Sequence, residues 1–190
     1  MKMKGNKYMP YFHTSSYLKE GQTVSKNTKN NYKTCEFIFS YDVDCYSEYL
    51  SLLNELDKKN ISRTGRDKYK WACEAIFESV RKKNFADLPS RIWGMYAFGL
   101  LENAILFNNS HRKGKANIFE INPSEKVYKF NMSLFTKADD FLRKNDNKSS
   151  FNHAKKLAYK YWCQNEPIIE EEFIFEQDEI TIGKLVYAHD

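Results

Sequence analysis

The sequence predicts a single α+β domain with a mixed or antiparallel β core and flanking helices. Three observations carry this. Helix-spaced apolar stripes and strand-length apolar runs are intermixed without strict βαβ alternation. The 190 residues are 42% hydrophobic and 16% aromatic, enough for one substantial core. No internal repeat, low-complexity tract or long linker divides the chain, so residues 1–190 read as one domain.

In chain order, YMPYFH (8–13) reads as a short strand ending at the histidine, with Pro10 marking an edge position. SSYLKEG suits one helical turn closed by Gly21. After the polar stretch SKNTKNNYK, TCEFIFSY is β-prone. Tyr46, Tyr49, Leu50, Leu53 and Leu56 recur at helical spacing behind Asp44, a candidate N-cap. The spacing of Trp71, Ala72, Ala75, Ile76 and Val80 predicts a helix over 68–83. LPSR leads into IWGMYAF, a continuous apolar run that reads as a buried strand. LLENAILF reads as a short helix, ANIFEI and KVYKF as strands, and LFTKADDFLRK and FNHAKKLAYKYW as helices. IIEEEFIF and EITIGKLVY close the chain as two strands joined by a tight EQD turn.

Composition narrows the function classes. No segment approaches eighteen uncharged apolar residues, and the N-terminal lysines precede no apolar stretch, so a cytoplasmic protein without a membrane span is expected. Cys35, Cys45, Cys73 and Cys163 lack metal or redox spacing, and the four histidines are scattered, so no metal is expected. The net charge of +5 is asymmetric: residues 1–33 hold seven lysines against one glutamate, and residues 166–190 hold eight acids against Lys184. A basic end can contact phosphates, but only six of the thirty basic residues are arginine and no nucleic-acid motif accompanies them.

Four places carry polar groups that core patterning does not require. His13-Thr14-Ser15 follows the first strand; the histidine is either a structural strand end or a ring aimed at a pocket. Arg91, in Leu88-Pro89-Ser90-Arg91, can point its fork at a phosphate or pair with Asp87 or another carboxylate. Tyr96 sits in an apolar strand, packing in the core or offering a ring face to a planar ligand. Glu170-Glu171-Glu172 opens a strand, and alternation sets Glu171 on the face of Phe173 and Phe175 with Glu170 and Glu172 opposite. By pattern alone this triplet is a solvated edge.

In order, these segments resemble the diphtheria-toxin-like and poly(ADP-ribose)-polymerase-like branch of ADP-ribosyltransferases, marked by a dispersed His, Tyr, Glu triad. Gly94-Met95-Tyr96-Ala97-Phe98 and the helix behind it are similar to the family's Gly-x-Tyr-Phe-Ala strand, His13-Thr14 to its opening His-Gly or His-Thr, and Glu172-Phe173-Ile174-Phe175 to the strand with the catalytic acid. Thr14 replaces the commoner glycine, and the acid could be Glu170 or Glu171 instead. Pro89-Ser90-Arg91 and Ala158-x-x-Tyr161-Trp162 are also similar to an uncharacterised bacterial and phage domain family. The resemblance implies an ADP-ribosyltransferase-like fold and NAD as substrate, with no metal. His13 would bond the adenosine ribose, Thr14 backbone the nicotinamide amide, Tyr96 the nicotinamide ring, and Arg91 or an N-terminal lysine the pyrophosphate. Glu172 would stabilise the cation that develops at the ribose carbon. The acceptor stays open between protein, nucleic acid, small molecule and water. Two other classes stand beside the enzyme: a nucleotide-binding module without turnover, and a basic interaction protein that binds nucleic acid.

Overall fold

The computed structural model describes residues 10–25, 31–61 and 68–188. The order of elements is β1 (Tyr11–Ser15), β2 (Thr23–Ser25), α1 (Tyr32–Ser40), α2 (Tyr46–Lys58), α3 (Lys68–Asn84), β3 (Met95–Ala97) and α4 (Leu101–Arg112), followed by β4 (Asn117–Ile121), β5 (Tyr128–Asn131), α5 (Met132–Lys144), α6 (Lys148–Cys163), β6 (Glu171–Phe175), β7 (Glu179–Thr181) and β8 (Leu185–Tyr187). The fold is α+β, and the named strand pairs are all antiparallel. They form two three-stranded sheets, β1-β4-β8 and β3-β6-β5, and a two-stranded ribbon, β2-β7. No helix among the described residues is long and apolar enough to cross a membrane.

The β3-β6-β5 sheet is covered on both faces, which explains the apolar run in β6. Ile174 and Phe130 face the main core, with Trp71, Phe77, Tyr161 and Trp162. Phe175 and Ala97 face a second cluster with Phe119, Ile121 and Ile182. Within the main core α3 packs against α1, α2, α5 and α6. Every residue from Trp71 to Arg81 is buried, so its polar side chains are drawn inside with the apolar ones. The two three-stranded sheets meet at one point, where Phe12 and Phe98 exchange two backbone hydrogen bonds of 2.9 Å.

Several expected elements differ. TCEFIFSY lies in α1 rather than a strand; its buried Cys35 and Ile38 are three residues apart, the helical spacing that a short apolar run obscures. Residues 16–21 form a turn instead of a helix. Ser15 Oγ accepts from Tyr17 and Leu18 N–H, and Gly21, at φ 78°, donates to Ile182. β1 runs on through His13 to Ser15, while Tyr8 and Met9 lie outside the described residues. The helix cap is Cys45 rather than Asp44, because Glu48 Oε2 reaches back to both backbone N–H groups, at 2.9 and 2.7 Å. The apolar run at 92–98 narrows to Met95–Ala97, since Gly94 N–H turns back to the Ser90 carbonyl at 2.7 Å. The last strands form no hairpin: β6 lies between β3 and β5, β7 pairs with β2, and β8 with β4.

Gly94 is where the turn and the sheet come closest. A Cβ there would stand 2.4 Å from Ile174 Cγ2 and 2.6 Å from the Ser90 carbonyl, and Ile174 is fully buried. Gly94→Ala is therefore expected to destabilise the fold by about 1–3 kcal/mol, measured by denaturant unfolding. An unchanged midpoint would contradict this packing.

Candidate functional site

The site forms where the two sheets part. In β1, residues of one parity point their backbone groups toward β4 and those of the other toward β3. Phe12 uses the β3 side to pair with Phe98. Continuing that register would pair Thr14 with Tyr96. Instead, the carbonyl of Tyr96 accepts a 2.7 Å hydrogen bond from His13 Nδ1–H. The imidazole occupies the place of the next ladder bond, the sheets splay, and the Thr14 backbone faces the opening. A carbonyl can only accept, so Nδ1 carries the proton of this bond.

Two adjoining cavities open there, of about 310 and about 120 Å³. Both are lined by His13, Thr14, Glu74, Arg91, Tyr96 and Arg112. The smaller is also lined by Glu172. The sequence-derived site residues thus meet in one cleft: His13 and Thr14 from β1, Arg91 from the α3–β3 turn, Tyr96 from β3 and Glu172 from β6.

β6 also resolves the order of the three acids. Glu172 lies opposite Phe130 in the register and shares the face of Ile174 and Tyr96; it is only 2% exposed. The solvated-edge reading fails for this residue because helices cover that face. Glu171 points the other way, to Lys129 Nζ at 2.6 Å and Asn103 at 3.3 Å. Glu170 stands 3.8 Å from the imidazole of His111. Glu170 and Glu171 line a separate groove of about 370 Å³ beyond Phe98 and Phe107.

At the floor of the cleft Arg91 is 4% exposed, neither a surface ion pair nor a partner of Asp87. Its Nε donates to Glu74 Oε2 at 3.1 Å, and its Nη1 donates to the Tyr161 hydroxyl at 2.7 Å and to Glu172 Oε1. The Tyr161 hydroxyl donates to the same Glu172 oxygen at 2.8 Å. Phe135 lies 4.0 Å, and Tyr96 5.2 Å, from the guanidinium carbon. Tyr96 is held by its hydroxyl, which donates to the Arg91 carbonyl at 2.6 Å. Arg91, expected to meet the pyrophosphate, is paired here with two carboxylates. Of the N-terminal lysines offered as alternatives, Lys2, Lys4, Lys7, Lys26 and Lys29 lie outside the described residues, and Lys19 and Lys33 line neither cavity.

A second buried network holds the turn that carries Arg91. Arg81 pairs with Glu78 at 2.6 Å and donates to the carbonyls of Ala86 and Leu88. Ser90 Oγ donates to Glu78 Oε2 at 3.0 Å and accepts from the N–H groups of Ile92 and Trp93. Glu74 and Glu78, one helical turn apart on α3, thus meet Arg91 and Arg81.

Burial raises the Glu172 pKa; Arg91 and the Tyr161 hydroxyl pull it back without cancelling that rise. For Arg91, burial disfavours the charge, but Glu172 and Glu74 together overcome it and the pKa moves well up. Burial likewise raises Tyr161, keeping its hydroxyl a donor. With both acids ionised, Glu74, Arg91 and Glu172 carry a net charge of minus one. Both Glu172 partners sit on Oε1, and among the described residues nothing hydrogen-bonds Oε2.

Among protein families, the one described as "Protein of unknown function (DUF2441)" matches residues 2–186. The chain belongs to the DUF2441 family. No curated protein matches it. In this DUF2441 chain the segments Pro89-Ser90-Arg91 and Ala158-x-x-Tyr161-Trp162 meet in the core: Arg91 bonds Tyr161, and Trp162 Nε1 donates to the Phe77 carbonyl at 2.8 Å. Sequence reasoning missed that Glu74 and Tyr161 meet Arg91. Only Glu74 left a signal, as an acid set inside the apolar stretch WACEAIF.

Arg91→Met leaves two buried carboxylates without their cation and is expected to cost about 3–5 kcal/mol. Without Arg91 the folded-state pKa of Glu172 rises further. A carboxyl raised on folding contributes stability below its unfolded pKa, about 4.3, and loses it as pH climbs through the folded value. The deficit of the variant should therefore be smallest near about pH 4 and grow toward neutrality, read by unfolding across pH. A deficit constant with pH would contradict this charge assignment.

Proposed function

We propose that the protein cleaves the bond between nicotinamide and ribose of NAD, acting as an ADP-ribosyltransferase or NAD glycohydrolase. The observation that carries this is the meeting of His13, Tyr96 and Glu172, from three strands far apart in sequence, on one cleft. Those are the three members of the triad that the sequence resembles, in the same chain order.

The chemistry suits the arrangement. As the bond breaks, its electron pair leaves with nicotinamide and positive charge develops on the ribose. Glu172 Oε2, in a site shielded from water, stabilises that cation. The acceptor then adds a lone pair to the ribose carbon and gives up a proton; with water as acceptor the product is ADP-ribose. Tyr96, fixed by its hydroxyl, offers its ring as a wall for nicotinamide. The Thr14 backbone supplies a donor and an acceptor suited to the nicotinamide amide, and His13 offers a ring nitrogen to a ribose hydroxyl. The Arg91 and Tyr161 bonds to Oε1 fix the carboxylate in advance, so little reorganisation accompanies the charge development. NAD is an intracellular metabolite, which fits a cytoplasmic protein.

Purified protein is expected to release nicotinamide from NAD, and Glu172→Gln to slow release by about 10²-fold or more with the fold retained. Activity needs ionised Glu172, whose pKa is raised, so the rate should fall on acidification through an apparent pKa above the ordinary glutamate value. Release by the variant at the wild-type rate removes Glu172 from the role. Saturable stabilisation of wild type by NAD without any nicotinamide release identifies a binding module instead.

A further inference from the structure

The groove of about 370 Å³ is separate from the cleft, although Phe98 and Phe107 line both it and the smaller cavity. Its apolar lining stands in water. Eight large apolar side chains are exposed among the described residues, and Leu106, Ile168 and Ile169 of this groove are three of them. They include the two highest exposures, 65% for Leu106 and 76% for Ile169. Apolar residues exposed singly are ordinary, whereas three lining one concavity mark an interaction surface.

The segment that carries the isoleucines is firmly held. The Asn131 side chain, 5% exposed, donates to the Pro167 carbonyl at 2.9 Å and accepts from the N–H groups of Ile169 and Glu170, both at 3.4 Å. Met132 N–H donates to the Glu170 carbonyl at 2.7 Å. Asn103 ties α4 to Glu171 at 3.3 Å. A fixed backbone thus presents Ile168 and Ile169 to solvent, so little ordering entropy opposes docking there.

Charge selects the occupant. Two acids, Glu170 and Glu171, and one base, Lys129, line the groove. Lys129 Nζ is bound to Glu171 at 2.6 Å, and the ion-pairing neighbour of Glu170 among the described residues is the His111 imidazole at 3.8 Å. A further acid, Glu102, is exposed one helical turn before Leu106 on α4. A surface of this sign repels nucleic acid and anionic lipid headgroups. A second copy seated on it across a two-fold axis would bring like acids together. Walls this exposed do not suit a small ligand, since such sites enclose most of what they bind.

We propose that this groove docks a polypeptide segment of a partner protein that combines large aliphatic side chains with a lysine or arginine. The aliphatic residues cover Leu106, Ile168 and Ile169, and the cation meets Glu170. The docking stands whether or not the cleft takes NAD.

A display library of short random peptides, selected on the full chain, tests this. Leu106→Gln and Ile169→Asn change exposed positions, and circular dichroism with thermal unfolding establishes that both variants fold. Enriched peptides should pair a large aliphatic residue with lysine or arginine. In fluorescence anisotropy the tightest of them should bind each variant more weakly by about ten-fold or more. Glu170→Gln should weaken binding several-fold and flatten its salt dependence. Enriched peptides that lack a basic residue, or that bind wild type and both variants equally, overturn the assignment, as does a library that yields no enrichment. Wild-type dimers in sedimentation that Leu106→Gln dissociates would give the groove to a second copy and overturn it too.

Discussion

A guanidinium at 4% exposure is tolerable only if its charge is met by countercharge, and the architecture around Arg91 supplies two carboxylates. Three elements of the core converge on it: α3 with Glu74, α6 with Tyr161 and β6 with Glu172. The turn that carries it is tied down separately by Ser90, Glu78 and Arg81. Such an arrangement contributes less to net stability than an apolar core of the same volume. What it specifies is position, because breaking any member strands a buried charge. The Glu172 carboxylate is therefore held in one orientation before any ligand arrives.

The second constraint is the parting of the two sheets. A continuous ladder from β1 to β3 would have closed the space in front of Arg91. His13 prevents this by taking the Tyr96 carbonyl with its ring, one step beyond the Phe12–Phe98 pair. The opening thus comes from a side chain that competes with backbone pairing, and it sets Tyr96 and the Thr14 backbone at its walls. Buried ion pair and interrupted ladder together give a floor of fixed charge beneath an accessible cleft.

Much of this was legible in the sequence and part was not, for physical reasons. Long periodic segments announced α3, α5 and α6. The run EFIFS in α1 is too short for periodicity to separate helix from strand. His13, Tyr96 and Glu172 were reached by likeness of order, whereas local context read each as structural. Alternation placed Glu172 correctly opposite Phe173 and Phe175, but not its burial, because helices cover the face that the pattern leaves wet. The partners of Arg91 lie 17, 70 and 81 residues away in the chain, beyond the reach of any local pattern.

The central claim is that the cleft above Arg91 and Glu172 receives the nicotinamide ribose of NAD. A crystal structure with an NAD analogue whose reacting ribose has a methylene in place of the ring oxygen, and so cannot form the cation, addresses it most directly. The account predicts the nicotinamide ring against Tyr96, its amide on the Thr14 backbone and the adjoining ribose at Glu172 Oε2. An analogue bound elsewhere on the molecule, or a cleft left empty at saturating concentration, would contradict it.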